Sequence, residues 1–296
     1  MRGRRPRVPG GETRPLRLRA LLPALLLAGC GASPPGAPSA TVSRRVVSLA
    51  PSVTEIVWAL GAGDRLVGVC GQCDRPAEVE RLPRVGGYLA PSVEATLALE
   101  PDLVVAVPSP GNREAVRAIE RTGVRVLIVH DRTLADLWGS IRDVADALDL
   151  REPGSRLAED VRGRLEAVRR RVAREPTRRV LVVVGRSPLV AVGRGTLQDE
   201  LVTIAGGVNV AADTGEPWPR LALEIVVARA PEVIVDASMG TERGARELFA
   251  GLTTVPAVRE GRILRLESDA FLRAGPRVAD AAAALAAIIH PEAFSG

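Results

Sequence analysis

Residues 88–106 and 218–236, which lie 130 positions apart, follow one pattern. The first reads YLAPSVEATLALEPDLVVA and the second WPRLALEIVVARAPEVIVD. Each opens on an aromatic (Tyr88, Trp218) and places a glutamate six residues on (Glu94, Glu224). A proline follows seven residues later (Pro101, Pro231), then an acid and an apolar run. Aromatics make up only 2% of the chain, with one Tyr and three Trp, so the match at the first position is not filler. A chain that repeats a helix-then-strand segment at this separation folds most simply as two similar lobes. Each lobe then presents an aromatic and a carboxylate at equivalent points.

Around the two copies, short apolar runs alternate with helical patterns. Strands are predicted at Val46–Leu49, Leu66–Val69, Leu103–Val107, Val124–Val129, Val180–Val184, Leu189–Val192, Val233–Val235 and Ile263–Leu266. Most are unbroken Val/Leu/Ile stretches, as in strands covered on both faces. Helical patterns intervene, among them Ser52–Leu60, Val93–Leu99, Leu134–Leu148, Glu224–Ala230 and Arg277–Ile289. This alternation predicts α/β lobes with mostly parallel sheets. Ser52 to Glu55 and Thr196 to Asp199 fit capping boxes, and Pro276 stands where a first-turn proline would. Midway between the copies, Leu157, Val161, Leu165, Val168 and Val172 recur at helical intervals with no strand interrupting. Twenty helical residues reach about 30 Å. The expected fold is two Rossmann-like lobes, residues 44–152 and 177–296, joined by a single long helix within residues 153–176.

The N-terminus differs from the rest. Residues 1–29 hold seven arginines and one glutamate, more than the whole net charge of +5. The basic balance therefore belongs to the leader, and a nucleic-acid role loses its support. The apolar stretch Leu21 to Ala28 is too short to span a bilayer, which takes about 20 residues, and reads as an export signal. Leu27-Ala28-Gly29-Cys30 resembles a bacterial lipobox, which implies cleavage before Cys30 and lipid on its thiol, anchoring the chain to a membrane. A secretory signal cut elsewhere, with Cys30 incidental, is the alternative. Residues 30–43 are Pro/Ala/Ser/Gly-rich and read as a flexible tether. Export permits a local Cys70–Cys73 disulfide. Free thiols are the second reading. Metal or redox chemistry would need further ligands or a helix N-terminus.

In open α/β sheets ligands bind beyond the carboxyl ends of the strands. Ala50-Pro51, residues 108–112, His130-Asp131, Gly185-Arg186, Ser238-Met239 and residues 268–271 are thus cleft candidates. Tyr88 and Trp218 lie in the loops entering the twin helices, and Phe271 lies just past the last strand. Flat aromatics suit a broad, partly apolar ligand, and Asp269 and Arg186 are placed to hydrogen-bond it. Glu94 and Glu224 fall in a first helical turn, where the helix dipole favours any acid. Trp58 and Trp138 read as core, and His290 as surface.

Several motifs then carry a family resemblance: RVVSLAPSVTEI from Arg45, LPRVGGY ending at Tyr88, LEPDLVV, GRGTLQDEL, GGVNV, PWP around Trp218, and SDAFLRAGPR. Together they resemble the cobalamin-binding proteins of bacterial ABC importers, within the iron-siderophore, haem and cobalamin group. The likeness covers about residues 44–290. It implies two lobes bridged by one helix, clasping cobalamin or a related corrinoid with limited hinge motion. It implies that Trp218 and Asp269 line the ligand site, with Tyr88 at a matching loop. Glu94 and Glu224 match paired carboxylates that dock on an ABC permease dimer, which works with its ATPase. The partner set is thus a corrinoid, the permease and a membrane, with no nucleic acid, and the chain acts as a monomer without a catalytic cofactor. Val107, Val184 and Val190 depart from the pattern, standing about where a cobalamin binder has aromatics.

Haem or a ferric siderophore is the alternative ligand. Haem wants an axial Tyr or His, and Tyr88 is the only tyrosine. An exported enzyme is remote, since the sequence has no G-x-S-x-G elbow, no H-E-x-x-H and only two histidines.

Overall fold

The computed structural model describes residues 42–238 and 244–295. In chain order the first lobe comprises β1 (Val46–Ser48), α1 (Pro51–Ala59), β2 (Leu66–Val69), α2 (Val93–Leu97), β3 (Leu103–Ala106), α3 (Arg113–Glu120), β4 (Arg125–Ile128) and α4 (Leu134–Ala147). The linking helix α5 (Arg151–Val172) follows. The second lobe comprises β5 (Arg178–Arg186), β6 (Leu189–Ala191), α6 (Leu197–Ile204), β7 (Gly207–Asn209), α7 (Leu223–Arg229), β8 (Val233–Asp236), α8 (Ala245–Phe249), α9 (Pro256–Arg259), β9 (Ile263–Arg265) and α10 (Val278–Ile289).

The first sheet is fully parallel in the order β2-β1-β3-β4. The second runs β6-β5-β8-β9, with β7 also on β5, and only β6 is antiparallel. Helices cover both faces, so β1, β3 and β8 are buried throughout, and the apolar runs need no polar alternation. The α/β, two-lobed reading is thereby observed. In both sheets the chain changes winding direction between the two central strands, β1/β3 and β5/β8. That is where open α/β sheets open a crevice.

The linking helix begins two residues earlier than expected and buries Val161, Leu165, Val168 and Val172. This stripe packs against α4 of the first lobe and α10 of the second, so α5 shares apolar surface with both. Its first turn holds Glu152 and its last turn Arg169, Arg170 and Arg171, each complementing the dipole at its own end.

The duplicated segments are twins at backbone level. Glu94 and Glu224 each occupy the second position of their helix, α2 and α7. Glu100 and Ala230, both immediately before the shared proline, have positive φ of 45° and 42°. The acid after each proline ties its strand to the neighbouring one. Asp102 Oδ2 accepts the Arg45 N–H (3.1 Å) and Glu232 Oε2 accepts the Arg179 N–H (2.8 Å).

Five local expectations are corrected. Pro51 starts α1 one residue ahead of Ser52, so no capping box forms there, and Glu55 turns instead toward the other lobe. Thr196 caps α6 as expected, but Asp199 bonds Asn209 Nδ2 (2.9 Å) instead of closing the box. The complete capping box is Thr133–Asp136, on α4. Pro276 precedes the N-cap of α10, which is Arg277. His290, read as surface, is fully buried at the end of α10, where its Nε2 faces the Gly206 carbonyl at 3.3 Å. Ser43 is buried, and its carbonyl accepts from Arg65 (3.3 Å), so the lobe starts within the stretch read as tether. The leader and Cys30 lie outside the described residues, as does Met239. No described helix is long and apolar enough to cross a membrane.

Candidate functional site between the lobes

The two aromatic loops are held differently but with similar economy of backbone. Tyr88 sits in a tight turn closed by Gly87 and Ala90, which exchange N–H···O bonds of 3.2 and 3.1 Å. Gln72 Oε1 accepts the Tyr88 N–H (2.8 Å), and the fully buried Asn112 donates to the Tyr88 carbonyl (3.3 Å). Gln72 is presented by the Cys70–Cys73 turn, which is disulfide-bridged with a Cα–Cα distance of 5.2 Å. Arg84 binds the carbonyls of both cysteines. The sequence reading of a local disulfide thus acquires a structural purpose, because the bridge shapes the turn that positions Tyr88. Gly86, at φ +97°, lets the chain fold back on itself, since a Cβ there would stand 2.6 Å from the Ser92 nitrogen.

Trp218 lies in a loop laid against β6. Ala191 N–H donates to Pro219 O (3.0 Å), and Gly193 N–H donates to Pro217 O (2.9 Å). A Cβ on Gly193 would meet Glu216 O at 1.9 Å, so this loop can approach only a glycine. Gly193→Ala is therefore expected to displace the Trp218 loop. Ligand affinity should fall by at least tenfold while the melting temperature drops only a few degrees, read by calorimetric titration and thermal melts.

Trp218 is 44% exposed, unusual for a large aromatic with no partner surface. Beneath it a cavity of about 380 Å³ is lined by Asp131, Arg132, Val184, Gln198, Trp218 and Leu272. Tyr88 is not part of the cavity lining, but it lies near Asp131, whose charge, after burial, helps raise its hydroxyl above the usual tyrosine range. Burial and the nearby Asp136 raise the Asp131 carboxyl as well, against a lowering by His130. Strands β4 and β5, from opposite lobes, both end here, at the place where the sequence rule put the cleft.

The other expected ligand contacts are engaged elsewhere. Phe271 is fully buried and stands apart from the expectation that it packs on a ligand. The 3-10 turn Asp269–Leu272 rotates its ring into the core, leaving Leu272 at the cavity and the Phe271 carbonyl to accept from Gln198 Nε2 (2.8 Å). Arg186 donates to Ser238 Oγ (2.6 Å) and lies 3.7 Å from Asp236, with its side chain mostly buried. Burial opposes ionisation of Asp236, but bonds from Ser238 and the Ala245 N–H, with the Arg186 charge, hold its carboxyl below the usual range.

Asp269 belongs to a network that sequence reasoning missed. Arg277 grips Glu55 of α1 (2.7 and 3.0 Å) and also Asp269 (both 2.9 Å). Arg273 reaches Asp74 (2.6 Å), Asp269 (3.0 Å) and Glu55 (3.5 Å). Glu55 and Asp74 are first-lobe groups and the two arginines are second-lobe groups, so the network spans the lobes. Nothing local betrays it, for Glu55 and Arg277 are 222 residues apart. A second bridge joins the lobes where Leu134 N–H donates to Glu200 Oε2 (2.6 Å) and Leu197 N–H to Arg132 O (2.5 Å).

The Arg277 hydrogen bonds lower the Asp269 carboxyl to about 2, and Arg273 likewise lowers Asp74. A folded-state value below the unfolded one gives stability that is complete above the unfolded value, about 4, and lost as pH falls through the folded value. The melting temperature of the wild type should therefore fall between about pH 4 and pH 2. In Asp269→Asn that fall should be visibly shallower.

Glu94 and Glu224 are exposed, and neither forms a side-chain hydrogen bond or ion pair among the described residues. Ile225 and Val227, next to Glu224 on α7, are also exposed. Trp58 and Trp138 pack partly against the core, the latter under the Arg162 guanidinium at 4.5 Å.

Two α/β lobes, a single connecting helix and a cleft at the strand ends define a two-lobed binding-protein fold. The periplasmic binding protein family model matches residues 46–270, and the chain belongs to that family. The vitamin B12-binding protein of Vibrio parahaemolyticus is 31% identical over 242 residues, covering 80% of this chain and 86% of that one. Among solved structures, a periplasmic haem-binding protein from Roseiflexus sp. RS-1 aligns with a TM-score of 0.75 at 34% identity, covering 85% of this chain and 99% of that one. The periplasmic vitamin B12-binding protein of Vibrio cholerae aligns with a TM-score of 0.73 at 27% identity, covering 86% and 99%. These proteins are named for ligand binding, not catalysis.

Proposed function

We propose that this chain is an extracytoplasmic binding protein that captures a corrinoid such as cobalamin between its lobes and delivers it to an ABC permease. The observation that carries the reading is the interlobe cleft itself, with an exposed Trp218 over a cavity of about 380 Å³, polar groups from both lobes in its walls, and Tyr88 near its Asp131 edge. Tyr88 and Trp218 pack on the ligand's flat faces, while Gln198, Asp131 and Arg132 meet its periphery. Asp269, although bound to Arg277, keeps 40% of its side chain exposed and contributes at the rim. Arg186 supports the cleft floor through Asp236. The B12-binding relative supports the choice of ligand. Capture involves no chemistry, so no catalytic cofactor is needed. Cys30 carries the lipid that tethers the chain to its membrane, and Glu94 and Glu224 dock on the permease.

Haem is the second reading. It is favoured by a half-buried Tyr88 at the cleft and by the haem-binding relative, because a phenolate can serve as an axial iron ligand. Calorimetric and absorbance titration of the purified protein with cyanocobalamin, hemin and a ferric catecholate separates the two. Tight binding of cyanocobalamin supports the corrinoid reading, and tight binding of hemin with none of cyanocobalamin contradicts it.

A further inference from the structure

Asp131 is the acid in the cleft wall that forms no ion pair and no hydrogen bond to another residue's side chain among the described residues. Its backbone is pinned on both sides: Ser140 Oγ donates to the His130 carbonyl (2.7 Å), and the Arg132 carbonyl accepts the Leu197 N–H from the other lobe (2.5 Å). The neighbouring acid, Asp136, is consumed by the N–H groups of Arg132 and Thr133 (both 3.1 Å). Apart from its own N–H and the nearby His130, which lower its carboxyl, Asp131 meets no donor or cation among the described residues. The adjacent Arg132 lines the same cavity but forms no ion pair with it, and Tyr88 lies close enough to feel its charge. A half-buried carboxylate with no donor beyond its own backbone is costly to keep. A rigid loop that nonetheless holds one in a ligand cleft leaves its oxygens for donors that arrive with the guest.

We propose that Asp131 is a selectivity residue of the cleft, accepting N–H bonds from amide groups on the ligand and excluding ligands that present carboxylates or catecholates at that wall. This rests on the corrinoid reading. A corrin ring carries its side chains largely as primary amides, which offer N–H donors, whereas haem presents two propionates. At the point where the ligand meets Asp131, and not the neighbouring Arg132, the carboxylate attracts the first and repels the second, so discrimination comes from the repulsive element as much as from the attractive one.

The test compares wild type, Asp131→Asn and Asp131→Ala, each titrated with cyanocobalamin and with hemin after its fold is verified by circular dichroism. Hydrogen bonds to a charged acceptor are worth about tenfold or more in affinity. The preference for cyanocobalamin over hemin should therefore fall by about tenfold or more in both variants. Asn, which retains one acceptor oxygen, should lose less cyanocobalamin affinity than Ala. An unchanged preference in the two folded variants, with wild-type cyanocobalamin binding intact, overturns the role of Asp131 and leaves the corrinoid reading standing. Wild type that binds hemin but no cyanocobalamin overturns both.

Discussion

Replacing Glu94 and Glu224 together with alanine should abolish ligand uptake in cells while leaving the affinity of the purified protein within about twofold of wild type. The two carboxylates stand at the same helical position in twin segments, exposed and without a side-chain partner among the described residues. Neither lines the cleft cavity. As helix-dipole partners each is worth about 0.3–1 kcal/mol, so their loss barely changes stability. Exposed charges that do so little for the fold are available for a partner, and a pair displayed at equivalent points of two lobes suits a permease of two similar halves. Each single variant should retain part of the uptake. Affinity lost in the double variant would place these residues in ligand binding and remove the docking role.

Arg277→Met should destabilise the protein by about 3–5 kcal/mol, read by urea denaturation. Glu55 is only 6% exposed, and after the substitution its remaining cation is Arg273 at 3.5 Å. The cost arises chiefly from a buried carboxylate left with a single, longer ion pair, so adding Glu55→Gln should recover part of the loss. The cycle should show coupling of about 1–3 kcal/mol between the two sites. Additive effects would mean that the fork holds no special place between the lobes. The fork also bears on function, since it joins α1 of one lobe to the start of α10 of the other. Together with the Glu200–Leu134 bridge, it limits how far the lobes can part.

How much of this was legible in the sequence depended on range. The buried strands announced themselves because a strand covered on both faces has no reason to alternate. The linking helix did so because its stripe of Val161, Leu165, Val168 and Val172 runs with no break. The short strand Gly207–Asn209 was missed, as three residues of mixed polarity leave no periodic trace. The Ser52–Glu55 motif misled for a physical reason. Pro51 is already suited to the first helical position, and Glu55 is drawn away by an arginine that only the tertiary fold brings near. Phe271 failed similarly, because position after a strand locates a residue near the cleft but does not say which way a 3-10 turn aims its ring. Tyr88 and Trp218 fall in equivalent loops, ahead of α2 and α7, because a repeat fixes register, and register carries over from one lobe to the other.

The central claim is that the guest lies between Tyr88 and Trp218. The direct measurement is a crystal structure of the protein grown with cyanocobalamin, with the cobalt located by anomalous scattering. The account predicts one strong cobalt peak in the interlobe cleft, with the corrin flanked by Tyr88 and Trp218. A peak elsewhere, for instance in the cavity of about 520 Å³ beside Trp138 and α5, would contradict it.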